Sequence, residues 1–144
     1  RVRQSYMLIA LILGFIGIAA YYASTVAFEM LSLSKQYAIA ETTETKLQCL
    51  SSGQLLLLTY KGTAFDVYYV LNAITLLIIS RVMFYDNTFS KATAVWGLVS
   101  GILMLIPTTA GTIGLTFGIA SLIPWTVFSI LIAKRLFKLY NKNQ

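Results

Sequence analysis

The chain has no histidine. That removes at once the commonest general base, the commonest transition-metal ligand and the usual haem ligand. A single cysteine, Cys49, leaves neither an intrachain disulfide nor a multi-cysteine metal site open to it. No metal and no cofactor are expected. Charge is scarce too: 11% of residues carry one, against about 25% in ordinary soluble domains. Residues 92–133 contain no charged side chain at all, and a surface facing water cannot be built from such a run.

What the chain does have is apolar length, with 58% of its residues hydrophobic. About 20 apolar residues cross the roughly 30 Å hydrocarbon core of a bilayer as a helix. Four segments qualify or nearly so, at about 6–28, 64–84, 92–107 and 113–137. They predict an all-α membrane protein, a single integral-membrane domain over 1–144 with four transmembrane helices in a bundle. Its first partner is the lipid bilayer; other membrane-protein subunits or additional helices are further options. The third segment is short, and Pro107 closes it, since the residue before a proline is pushed out of the helical region. Pro124 falls inside the fourth and predicts a kink that a packed neighbour tolerates.

The net charge of +6 would suit nucleic acid if it were clustered on a soluble face, but the basic residues flank the apolar segments. No nucleic-acid partner is expected. Arg1 and Arg3 precede the first segment, Arg81 and Lys91 flank the second connection with Asp86, and Lys134, Arg135, Lys138 and Lys142 follow the fourth. Around residues 29–66, Lys35, Lys46 and Lys61 are balanced by Glu29, Glu41, Glu44 and Asp66. Cytoplasmic loops carry the excess of lysine and arginine, so both ends of this chain are expected in the cytoplasm. A signal peptide is the rival for the first segment, with Ala20 to Ala23 as its cleavage site. The apolar run exceeds the usual 7–15 residues of such a core, which favours a retained helix. The missing initiator methionine suggests that something precedes Arg1, another helix among the options.

The connection over 29–62 is too long for a structureless loop in a compact protein. It has no proline and is rich in helix formers. Thr42, Thr43 and Glu44 divide it, because either threonine caps a new helix and Glu44 suits its positive pole. Two helices are expected, near 31–40 and 44–60, forming an extracytoplasmic excursion. Leu55 to Leu58 should hold the second on the membrane surface or against the bundle mouth.

Several stretches resemble an uncharacterised family of bacterial multi-pass membrane proteins, a domain of unknown function. They are Leu33-Ser34-Lys35-Gln36-Tyr37-Ala38, the run from Tyr60-Lys61-Gly62-Thr63-Ala64-Phe65-Asp66 to Leu71, Phe89-Ser90-Lys91-Ala92-Thr93-Ala94, and Leu122-Ile123-Pro124-Trp125 with Ala133-Lys134-Arg135-Leu136. The resemblance covers most of the chain from Leu31, and its motifs diagnose no chemistry. It implies a multi-pass protein of the bacterial plasma (inner) membrane, with more helices in some members, and leaves activity blank.

Candidate site residues are few. Asp66 stands near the start of the second segment, where capping that helix is the plainer reading and a functional acid the sharper one. Asn72 is expected to bond to a neighbouring helix, and Arg81 to anchor at the interface. Tyr21, Tyr22, Tyr60, Tyr68 and Tyr69 gather toward one boundary, as an aromatic belt would. Tyr22, Glu29, Asp66 and Tyr69 are nonetheless the residues that could converge on an outward-facing ligand cleft. Cys49 reads as a packed thiol. Gly97 and Gly101, then Gly114 and Gly118, repeat the spacing that lets helix backbones approach closely, and predict a tight hairpin of the third and fourth helices. Three functions fit: a non-catalytic accessory or structural membrane subunit, a small transporter or ligand-binding membrane protein, and an intramembrane enzyme. The first leads and the third is last, because no catalytic group has an evident partner.

Overall fold

A computed structural model describes residues 2–86, 88–107 and 109–142. Within them lie six helices and no strand: α1 (Val2–Ser24), α2 (Ala27–Ile39), α3 (Thr43–Tyr60), α4 (Thr63–Tyr85), α5 (Lys91–Met104) and α6 (Gly111–Lys142). Three stretches, Arg3–Ile39, Thr43–Tyr85 and Gly111–Asn141, are long and apolar enough to cross a membrane. The 14 residues of α5 rise only about 21 Å. The apolar segment expected to 107 stops being helical at Met104, where the Leu105 amide turns back to the Ile102 carbonyl. α6 instead overruns its expected start and end, and continues through Pro124.

The first helix ends four residues earlier than its apolar run suggests. Ser24 donates its hydroxyl to the Tyr21 carbonyl and Thr25 to the Tyr22 carbonyl, each at 2.7 Å. Those bonds satisfy the last-turn carbonyls locally and compete with continuation, so Phe28 belongs to α2. α3 begins where the threonines predict a start. Thr42 accepts from the Thr45 amide at 3.2 Å and is its N-cap. Asp66 does not cap α4: Gly62 holds that position with no side-chain bond.

α1 packs along α4, α4 along α5 and α5 along α6, each pair antiparallel. The register is fixed by Thr75 against Ala10, Ser80 against Gly97 and Ser100 against Ser121. α2 lies on α3, and α3 makes a small contact with α4. The interior of this bundle is rich in small residues, with Leu76, Met83, Met104 and Phe128 as its large side chains. Ala10, Ala73 and Ala94 are fully buried, and the largest side chains with no exposure are Ser24, Ser80, Ser100 and Ser121. Leucines, isoleucines and aromatics point outward in their place, among them Phe15 at 62%, Ile123 at 68% and Phe137 at 71% exposed. The accessible surface, 10058 Å² for 16.0 kDa, exceeds the roughly 7,400 Å² of a compact soluble monomer of that mass.

The glycines of α5 face α4 as well as the α6 neighbour that their spacing suggests. A Cβ on Gly101 would stand 3.1 Å from the Ala73 carbonyl oxygen of α4, and one on Gly97 would collide with Ser80 Oγ of α4 and the Phe128 ring of α6. The close backbone approach is therefore between α5 and α4, with α6 contributing a ring. Gly114 and Gly118 are buried on α6, but Ser121 and Ser100 make the polar link there. Ser121 donates to the Gly118 carbonyl at 2.7 Å, and Ser100 donates to the Ser121 carbonyl at 3.4 Å.

Candidate functional site

The start of α4 gathers the polar and aromatic groups at the end of the bundle that carries α2 and α3. Asp66, on the first turn of α4, accepts the Thr109 hydroxyl at 2.5 Å across 43 positions of sequence. This bond ties the loop between α5 and α6 to α4. Three residues further along, Tyr69 lines a groove of about 660 Å³ between α4 and the first half of α6. Tyr60 and Lys61, at the end of α3, close one side, and Leu115, Ile119 and Leu122 form the apolar wall opposite.

Phe65 is the hub of the aromatic cluster above the groove. Its ring centroid lies 5.1 Å from Tyr69, 5.4 Å from Tyr60, 6.0 Å from Tyr68 and 6.4 Å from Tyr21. Tyr21 and Tyr68 are the closest pair at 4.9 Å. Tilted contacts at these separations suit the ring quadrupoles and add to the burial of the rings themselves. The cluster joins α1, α3 and α4 without a single charged group.

Of the four residues expected to converge, Tyr69 alone lines the groove, and Asp66 reaches its edge through the Thr109 hydroxyl. Asp66 and Tyr69 share a face of α4 because i and i+3 are neighbours on a helix. Tyr22 is 70% exposed and touches the cluster only through Tyr21, at 5.9 Å. Glu29 is exposed on α2 and does not line the groove. The break at Thr25 puts Glu29 on a separate helix, while Tyr22 lies on α1 beside Tyr21, which is the ring that meets α4. Phe65, Lys61 and Thr109 take their place, and spacing alone could not have found Thr109. Cys49 is half-buried on α3, beside Leu50 and Gly53 in a shallow cleft against Tyr37 and Met30 of α2.

Deeper in the bundle, several hydroxyls and amides bond to backbone, while the buried Ser80 hydroxyl has no partner among the described residues. Asn72 donates to the Tyr68 carbonyl of its own helix at 2.9 Å, and not to a neighbour as its position suggested. Thr75 makes the interhelix link instead, reaching the Leu71 carbonyl at 2.8 Å and the Ala10 carbonyl of α1 at 3.3 Å. At the opposite end, Arg135 of α6 donates to the Thr88 carbonyl, and Asp86 accepts from the Thr88 amide and hydroxyl. Among the described residues no three acids or cysteines come together as metal ligands would. Comparison of the chain with family models, curated proteins and solved structures finds no match.

Proposed function

We propose that the chain is a four-span integral membrane protein of the bacterial plasma membrane, acting as a non-catalytic accessory subunit that packs against another membrane chain. One observation carries the reading: most large apolar side chains face outward, while alanine, glycine and serine supply most of the buried positions beside Leu76, Met83, Met104 and Phe128. Water would penalise that sorting, whereas lipid removes the penalty and leaves close backbone packing as the force between helices. The interior hydroxyls then serve as glue. Thr75 and Ser100 donate to backbone carbonyls of neighbouring helices, and such bonds stabilise membrane helices by about 0.6 kcal/mol each. In this reading α5 is the fourth span, seated where the bilayer thins or its loops dip inward. Both ends lie in the cytoplasm, and α2 and α3 form the extracytoplasmic excursion. Bacterial origin rests on the resemblance of the Tyr60-to-Leu71 run and its companions.

Purification of the untagged protein from its native membrane tests the subunit role. A second chain at fixed stoichiometry is expected; a monomer that retains no partner in mild detergent would overturn it. The groove beside Tyr69 supports a second reading, a ligand-binding membrane protein with an outward-facing cleft. An apolar cavity with a few convergent polar groups is the usual form of a small-molecule site. Ligand density in that groove in a structure of the isolated monomer would favour it.

A further inference from the structure

Arg81 of α4 stands between two clefts at the end of the bundle opposite α2 and α3. On one side, Arg3 and Tyr6 of α1 join Ile78, Arg81, Val82 and Tyr85 of α4 around a cleft of about 270 Å³. On the other, Leu77, Arg81, Phe84 and Tyr85 face Leu98 of α5 across about 380 Å³. Both clefts are lined mostly by apolar surface, and Arg81 and Tyr85 belong to both. Arg3 and Arg81 are exposed. The nearby acid, Asp86, accepts two bonds from Thr88. Lys91 and Arg135 belong to the same end, so the local field is strongly positive.

We propose that these clefts hold one anionic phospholipid of the adjoining leaflet. Its phosphate sits between Arg3 and Arg81, and one acyl chain lies on each side of the last turns of α4. Guanidinium groups match a phosphodiester because their planar donors bind two oxygens at once. Basic pockets between membrane helices take anionic headgroups for this reason. The two flanking clefts explain why the occupant has two chains. Tyr6 and Tyr85 place phenols at headgroup level, where aromatic belts lie. The lipid would fill the seam between α1 and α4 and go beyond the subunit role, which needs no lipid of a particular charge.

Native mass spectrometry of the detergent-purified full chain tests this with two probes, dioleoyl phosphatidylglycerol and dioleoyl phosphatidylcholine. The wild type should retain the anionic lipid at 1:1 in clear preference to the zwitterionic one, by about fivefold for each arginine engaged. The Arg3→Gln/Arg81→Gln double variant should lose the preference. Lys134→Gln/Lys138→Gln removes the same charge from α6 and should keep it. Arg81→Lys, which keeps charge and needs no refolding of the site, should lose part of it. Equal retention of both lipids by the wild type overturns the site. So does equal loss in the two double variants, which would leave only bulk attraction. If the single-chain lysolipid is retained as well as the two-chain one, or if inorganic phosphate displaces both alike, the two-cleft assignment fails.

Discussion

The row of α1, α4, α5 and α6 and the pair of α2 and α3 solve the same problem differently. In the row, the closest approaches are made at glycines: Gly17 meets Leu71 and Asn72, Gly97 meets Ser80 and Phe128, and Gly101 meets the Ala73 backbone, while Leu76, Met83, Met104 and Phe128 complete the core. In the pair, neither helix buries a single residue. Its one glycine contact, Gly53 against Leu33, is ordinary at 3.4 Å, and Phe28, Ile39 and Leu58 are 86%, 80% and 71% exposed. Tight packing thus follows small residues, not apolar content, which is what a solvent as apolar as the side chains would select. In the pair, Thr42 caps α3 while α2 has no side-chain cap, and both rest on helix propensity and need their surroundings for the rest.

The largest effect should come from testing which side of the membrane each region occupies. In a Cys49→Ser background, Lys46→Cys on α3 should react with an external, membrane-impermeant thiol reagent in intact cells, and Lys138→Cys on α6 should not. Labelling at Lys138 would reverse the assignment drawn from the distribution of arginine and lysine. It would also place the arginine clefts in the other leaflet.

Substituting glycines probes the packing half of the comparison. Gly97→Leu has no room: the first added carbon would meet Ser80 Oγ at 2.4 Å and the Phe128 ring at 2.7 Å. Gly101→Leu would press on the Ala73 carbonyl and Leu77. Each should cost at least the roughly 1–3 kcal/mol of an overpacked core, seen as a lower detergent melting temperature or lost folded yield. Gly53→Leu, with the same change in volume, should stay within about 0.5 kcal/mol. Equal losses at Gly97 and Gly53 would erase the distinction between the two regions.

That distinction was only half legible in the sequence. Apolar length gave the helices of the row, and Thr42 marked the start of α3, because both signals act over a few neighbouring residues. Gly97 and Gly101 announced a close approach but not its partner. Spacing shows which residues share a face, while the neighbour is decided by how α4 threads between α1 and α5. The end of α1 was hidden because the Ser24 and Thr25 back-bonds interrupt a run that hydropathy alone carries to Phe28. The candidate site fared likewise. Asp66 and Tyr69 share a face by helical periodicity, whereas Thr109 reaches Asp66 through a loop that carries no charge or motif. Glu29 was misplaced by the same missed break at Thr25, and Tyr22 by its face of α1, where Tyr21 takes the contact with α4.

A smaller effect is expected at the tie between α4 and the loop before α6. Asp66→Ala removes the acceptor of the Thr109 hydroxyl, so hydrogen exchange across 105–110 should rise as that loop loosens. A bond of this kind is worth about 1 kcal/mol. Asp66→Asn keeps a side-chain oxygen and should retain most of the protection. If alanine and asparagine behave alike, the bond to Thr109 does not hold the loop.

The smallest predicted effect is also the most specific to the row. Ser100 is fully buried on α5 and donates to the Ser121 carbonyl of α6. That carbonyl lies three residues before Pro124, whose ring has no amide to give to the Ala120 carbonyl, so the ladder of α6 is already one bond short beside Ser121. A hydroxyl from the neighbouring helix is the kind of partner that lets a membrane helix carry an internal proline. Ser100→Ala keeps the small volume that α5 needs and removes only the donor. The loss should be about 0.6 kcal/mol, a shift of a degree or two in melting temperature. The coupling to Pro124 is the sharper readout. In a Pro124→Ala background the restored amide supports the α6 ladder, and Ser100→Ala should then cost less than it does alone. If its cost is the same in both backgrounds, the hydroxyl is ordinary interhelix glue and does not compensate for the proline.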